Sequence, residues 1–362
     1  MLIFYLILFI ILVVSLFDNS KLTRNSKEII VYALMAVLIL FAGLRAPGID
    51  RDYKNYQYYY SIIPEIQYLI LDPKTYFDAA SIEPTFMILA SITKLFIYNG
   101  LPFLIFIYAL ISISLKTESI LKISDHPLLT LLLYFSTIFL LQDMTQIRVG
   151  IALGFAFLSI VASKERKLIK YAIFIIIGIF FHYSVIFFAP IYFFNSKKIN
   201  KPLYLSFIII PIILYFTKFN PLEILQSFDF GLFSNKLDAY VKMQKWLKEE
   251  MNMFNFSIII QIMLAFIFIY YADKSENKYT IILTKIFCIG IGVFYIFSFS
   301  PVIAFRSSEL LTSVQIFLLP TIISSFRHKA LGEILIIIFS LLHFVNQIII
   351  NNIFNPYNTI FS

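Results

Sequence analysis

Unbroken apolar runs dominate the chain, separated by short polar breaks. Runs such as 1–17 and 331–350 carry no alternation of apolar and polar positions, which argues against outward-facing barrel strands. In lipid each backbone amide must find its partner within its own segment, so long apolar runs become helices. Roughly 20 residues cross a hydrocarbon core of about 30 Å. The pattern predicts membrane helices near 1–17, 28–44, 101–115, 127–141, 146–162, 203–217, 254–272, 279–299, 309–325 and 331–350. Two further stretches, 83–98 and 168–194, are ambiguous. The first run starts apolar at Met1 without a basic leader or a small-residue cleavage site, which favours a retained first helix over a cleaved signal.

Composition agrees with this pattern. Of 362 residues, 60% are apolar and 14% charged, and the mean hydropathy is +0.86. So few charges cannot cover a water-soluble globule of this size. The expected class is an all-α polytopic membrane protein of about 11–12 membrane helices, some broken or re-entrant, forming one integral membrane domain over 1–362. The single Cys288 cannot form an internal disulfide, and no Cys/His spacing suggests a metal. No phosphate-binding glycine loop, dinucleotide fingerprint or hydrolase motif occurs, so no cofactor is expected.

Basic residues set the expected orientation, because short cytoplasmic loops are enriched in Lys and Arg. Lys164-Glu165-Arg166-Lys167 with Lys170, Lys21/Arg24/Lys27, Lys197/Lys198/Lys201 and Arg327/Lys329 go inside. Residues 45–82, 142–148, 218–253 and 300–308 then lie outside. The long stretches 45–82 and 218–253 are nearly charge-balanced, so the net charge of +8 reads as topology and not as a nucleic-acid surface. Parity is satisfied if 83–98 and 168–194 contain half-membrane pieces. Glu83-Pro84 and His182 sit at those irregular places.

Polar residues near the outer ends are the candidate chemistry. Arg45, Asp50, Asp52, Tyr53 and Tyr56 crowd one stretch, where an Arg fork suits phosphate and tyrosine faces suit a sugar ring or a membrane interface. Glu83 reads either as an ordinary helix-start residue before Pro84 or as a carboxylate facing an outer cavity. Gln146 and Arg148 open a helix, where Arg148 either snorkels to headgroups or clamps an anion. His182 is a structural hydrogen-bonder or a proton carrier. Arg306, with Glu309 three residues on, is a local pair or a further anion contact. The isolated His343 reads as core packing.

In order along the chain, Arg45, Gly48, Asp52-Tyr53-x-x-Tyr56, Glu83-Pro84, Gln146-x-Arg148 with Ile151-Ala152, Phe181-His182-x-Ser184 and Arg306 resemble the EpsG-like branch of Wzy-type polysaccharide polymerases. Two features depart from that pattern: Asp50-Arg51 intrudes before Asp52, and Gln146 is not adjacent to Arg148. The resemblance implies a glycosyltransferase of the bacterial cytoplasmic membrane. It would move a growing glycan from undecaprenyl pyrophosphate to a lipid-linked repeat unit on the outer face. It also implies Arg148, Arg306 and Arg45 at the pyrophosphate, His182, Glu83 or Asp52 at the acceptor hydroxyl, and Gln146, Tyr53 and Tyr56 among the substrate contacts. Partners would be the lipid-linked oligosaccharide, the bilayer and a chain-length regulator. A lipid-linked oligosaccharide flippase and an O-antigen ligase-like transferase are the alternatives.

Overall fold

The computed structural model describes residues 1–72, 82–97, 100–194, 197–217, 252–326 and 328–361. The expected outer loop 218–253, with Tyr240 and Trp246, falls almost wholly outside the described residues. Helices run as α1 (Leu2–Ser15), α2 (Arg24–Gly43), α3 (Tyr53–Ile62), α4 (Ile66–Leu71), α5 (Pro84–Phe96), α6 (Leu101–Ile123) and α7 (Pro127–Leu133). They continue as α8 (Ile147–Lys164), α9 (Leu168–Phe181), α10 (Lys201–Phe216), α11 (Phe256–Tyr271), α12 (Thr280–Ile296), α13 (Pro301–Thr312), α14 (Gln315–Thr321) and α15 (Lys329–Val345). Side-chain caps start several of them: Thr23, Asn200 and Asn255 accept from the backbone N–H of Ser26, Leu203 and Ile258. Among the described residues the architecture is all-α, and the protein is a multi-pass membrane protein. Five helices are long and apolar enough to span, or six if α13 and α14, bent by 43°, form one broken span.

The chain divides into two compact units, Met1–Tyr192 with Leu319–Ser362, and Phe193–Leu318. In the first, α8 packs between α6 and α9. The spanning stretch of α8 is 78% buried and that of α6 56%, against 33% for α2 and 28% for α15, so α6 and α8 form the centre and α2 and α15 face outward. Leu40, Ile169, Ile176, Leu335 and Ile338 leave large apolar surfaces exposed, as a lipid-facing exterior requires. In the second unit α12 packs on α10 and α13.

Both ambiguous stretches are short or interrupted. Helix α5 has 13 residues, roughly 20 Å at 1.5 Å per residue, well below a full crossing. After α9, His182 is extended (φ −159°, ψ 124°), and a 3₁₀ run from Tyr183 to Phe193 follows. The packing also sorts the ends of the first unit. Arg24 donates to Ser124 O (3.0 Å), joining the start of α2 to the end of α6. Lys164 and Lys167 lie at the α8–α9 connection. The opposite ends carry Arg45, Arg148 and His182.

Two boundaries differ from the pattern. Helix α6 continues to Ile123 through Lys116-Thr117-Glu118-Ser119, which read as a loop because they are polar. Lys116 is in fact buried against a carboxylate. Residues 301–308, expected as outer loop, are helical: Pro301 needs no N–H partner at a first helical position and starts α13 early. Arg306 is thus inside a helix instead of ahead of one.

Candidate functional site

Helix α7 runs on as a π-helix from Tyr134 to Asp143. Its wide turn closes with Met144 N–H bonded to Phe139 O (3.1 Å) and Gln146 N–H to Leu141 O (2.9 Å). π-helical turns inside α-helices recur at functional sites. The chain then re-enters an ordinary helix, so Arg148 stands in the first turn of α8. Its guanidinium meets the Glu83 carboxylate through Nη1. Glu83 precedes Pro84 at the start of α5 and makes no capping bond there, which leaves its oxygens for Arg148.

The pair is partly open: the Arg148 side chain is 23% exposed and that of Glu83 6%. Arg148 Nε is buried without a partner. Tyr56 lies beneath, its ring 5.8 Å from the guanidinium carbon, and stacks on Phe86 (5.7 Å). The Tyr56 hydroxyl donates to Thr145 O (3.1 Å). Burial pushes that hydroxyl up to about 12, against the opposing pull of Arg148, so it remains a donor at neutral pH.

His182 enters the same neighbourhood through backbone. Thr85 Oγ1 donates to Phe180 O (2.8 Å), which ties the start of α5 to the break after α9. Rings continue the link, with Phe86 on Tyr108 and Tyr108 on Phe181 (both 6.0 Å). His182 Nδ1 accepts from Ser184 N–H (3.3 Å). In a neutral ring so held, the proton sits on Nε2.

Arg45 has a different setting. Its Nε donates to Asp50 (2.9 Å), both side chains have zero exposure, and Nη1 donates to Ala42 O (2.5 Å). Gly48 (φ +81°) turns the chain between them. The C-terminal segment closes over this corner. Ala46 N–H bonds Asn358 O (2.9 Å), Ile360 N–H bonds Leu44 O (3.0 Å), and Asn355 N–H bonds Ile49 O (2.8 Å). Tyr357 stacks on Phe41 (4.3 Å) and donates to its carbonyl (2.8 Å).

The remaining candidates are dispersed. Asp52 precedes α3, and its backbone N–H bonds Asp50 Oδ1 (3.0 Å). Tyr53, Tyr56 and Tyr60 form the buried face of α3, whereas Tyr58 is 62% exposed. Gln146 is half-buried at the start of α8. Arg306 is exposed on α13, in the other unit. The structure thus gathers Glu83, Arg148, Tyr56 and the His182 segment, and gives Arg45 a separate, covered partner.

Two features escaped the sequence reading. The buried Lys116–Asp143 pair was hidden because Lys116 read as a helix-end residue; its signal was a lysine at the apolar limit of a span. The C-terminal segment 351–361 has neither charge nor motif to mark it. Among the described residues no group of three or more His, Cys, Asp or Glu side chains is placed to hold a metal.

Comparison with known proteins adds three findings. The family model described as the EpsG family matches residues 28–359. The amylovoran biosynthesis protein AmsC of Erwinia amylovora is 28% identical over 222 residues, covering 59% of this chain and 58% of that protein. No solved structure matches the chain.

Proposed function

The chain belongs to the EpsG family, and from that premise we propose that it is a polysaccharide polymerase of the O-antigen type. In this reading it transfers a growing glycan from undecaprenyl pyrophosphate to the non-reducing end of a lipid-linked repeat unit. The work is done on the outer side of the cytoplasmic membrane, the side away from Arg24 and Lys164. A relative named for amylovoran biosynthesis supports the polysaccharide assignment. The observation that carries the mechanism is the Glu83–Arg148 pair, with the arginine partly exposed, beside the His182 break.

The acceptor hydroxyl attacks the anomeric carbon, forming a new glycosidic C–O bond. The bond from that carbon to the pyrophosphate oxygen breaks, and undecaprenyl pyrophosphate leaves with the electron pair and one more negative charge. Arg148 is suited to that charge because its guanidinium fork matches phosphate oxygens and is already fixed. Taking the diphosphate means exchanging it for Glu83, which frees a carboxylate to accept the hydroxyl proton. His182, with its proton on Nε2, would hydrogen-bond a sugar or phosphate oxygen, and serves as base once its contact with Ser184 opens. Asp52 is the third candidate for that proton. Gln146, Tyr53 and Tyr56 shape the pocket around Arg148. A chain-length regulator would act on the polymer from outside this site.

Surface-glycan profiles of a deletion strain test the class. A polymerase null displays single repeat units outside, a flippase null displays none, and a ligase null accumulates long chains on the lipid carrier. Complementation with Arg148→Ala should restore membrane-inserted protein but no long chains. Long-chain glycan from a normally expressed Arg148→Ala protein would remove Arg148 from the reaction.

A further inference from the structure

A second set of fully buried charges in the first unit stands apart from Glu83 and Arg148. Lys116, on α6, donates to Asp143 Oδ1 (2.5 Å) and to Ser112 Oγ (3.0 Å). Ser112 Oγ also donates to Asp143 Oδ1, and Tyr134 donates to Oδ2 (2.7 Å). Lys116 and Asp143 are shielded from solvent almost completely, with side-chain exposures of 1% and 0%. A lysine facing lipid at this depth would be costly; Asp143 and Ser112 explain why this one is tolerated.

Stability alone is a poor reason for such a pair. Buried ion pairs often contribute no more than well-packed apolar side chains of the same volume, because desolvating two charges offsets their attraction. What the network does is geometric. Asp143 is the last residue of the π-helix, within the wide turn that launches α8 and three residues before Gln146, which caps it. Met144 and Gln146 close that turn with five-residue hydrogen-bond spacing, a register no ordinary helix would keep. Gly150, one turn into α8, sits directly against the network. A Cβ there would lie 2.9 Å from Asp143 Oδ1, 2.9 Å from Ser112 Oγ and 3.0 Å from Gln142 O. Arg148 lies between these two fixed points.

We infer that Lys116 and Asp143 are a positioning pair, buried between α6 and the end of the π-helix, which sets the register of residues 144–150 and so aims Arg148 at Glu83. Its value to glycan transfer rests on the function proposed above; the geometric claim does not. Neither residue touches substrate. Their effect passes through the backbone of the α8 launch, where a displacement of about 1 Å at the guanidinium can cost about 10²-fold in rate.

Two readouts separate the geometric claim from the catalytic reading. In a Cys288→Ser background, Glu83→Cys and Arg148→Cys are cross-linked in membranes with a short bifunctional maleimide, with and without Lys116→Met/Asp143→Leu. That double replacement removes both charges at once and leaves none unpaired. The expected result is a cross-link yield at least several-fold lower when the network is replaced. An unchanged yield overturns the proposal, whatever the activity. In the otherwise native chain the same replacement should preserve protein level and lower long-chain glycan about 10- to 100-fold, and unchanged chains beside a lowered cross-link would overturn the pair's value to glycan transfer. Gly150→Ala is the second variant. It alters no charge yet pushes on Asp143 and Ser112, so it should lower cross-linking and polymer alike; a neutral result in both counts against the register argument. If Arg148→Ala proved active, the catalytic reading would fail while the cross-linking result stood.

Discussion

Two arginine–carboxylate pairs occupy the same end of the first unit, and they are closed to different degrees. Arg45 and Asp50 have no exposed side-chain surface, and a C-terminal strap is hydrogen-bonded across the loop that holds them. Arg148 and Glu83 meet across two helix starts, with 23% of the arginine side chain still open. The residue types are alike. What separates them is whether the guanidinium can trade its carboxylate for another anion without first unpacking the protein. Arg148 can make that exchange by a side-chain movement. Arg45 would have to lose Asp50 and the segment from Asn351 to Phe361.

This contrast predicts opposite failures. Arg148→Ala should cost at least about 10²-fold in polymer formation with a smaller loss of protein than Arg45→Ala, since the partly exposed arginine leaves a gap through which water can reach the Glu83 carboxylate. Arg45→Ala should fail by loss of folded protein instead. It strands the Asp50 carboxylate in a buried site, which typically costs about 3–5 kcal/mol against a total stability of about 5–15 kcal/mol. Membrane-fraction levels and detergent-solubilised melting curves check both at once. An Arg45→Ala protein at normal level with normal melting, yet without long glycan, would give the two arginines the same job and end the distinction.

Paired replacements sharpen the contrast further. Arg45→Met/Asp50→Leu leaves no unpaired charge, so it should recover most of the protein lost in Arg45→Ala and, with it, measurable polymer. Arg148→Met/Glu83→Leu should be equally well folded and remain inactive. Recovery of chains in the second double variant would mean that the site pair is structural. Glu83→Gln is the milder probe. It removes the competitor for Arg148 and keeps a hydrogen-bonding side chain, so donor binding should hold or tighten while turnover falls. Initial rates of glycan extension in isolated membranes, measured over a range of lipid-linked donor, separate those two effects.

Much of this was legible in the chain. Apolar runs, few charges and basic clusters were enough for the class and for most helices, because a bilayer allows so few backbone solutions. The interruption at His182 and the shortness of the segment after Glu83 followed from counting residues against membrane thickness. Arg148 and Glu83 could be named as chemistry, but their meeting could not, since 65 residues separate them and neither carries a mark of the other. The setting of Arg45 was hidden for the same reason. Its partner Asp50 was visible beside it, while the strap that seals the pair comes from the far end of the chain and is made of Asn, Phe, Tyr and Ile, residues without a distinctive signature. Lys116 was lost to a boundary: a polar tetrad read as a loop when it lies in the last third of a helix, with Lys116, Thr117 and Ser119 buried.

The smallest effect tests the strap itself. Tyr357 stacks on Phe41 and donates its hydroxyl to the Phe41 carbonyl, and its hydroxyl is pushed above the ordinary tyrosine range by burial, against the opposing pull of Arg45. Tyr357→Phe retains the ring and deletes one hydrogen bond, so about 1 kcal/mol of stability should go. The proton stays on the buried hydroxyl in the folded chain, so its contribution is present in full below the ordinary tyrosine pKa of about 10 and is lost as pH rises toward its folded value. Melting curves of parent and Tyr357→Phe should therefore differ by a constant amount across neutral pH and converge only in strong alkali. Polymer formation at about 25 °C should be unchanged, since one hydrogen bond is a small part of the total stability. If Tyr357→Phe instead reduced polymer with no change in melting, the strap would be contacting substrate, and the covered corner would have to be counted as part of the site.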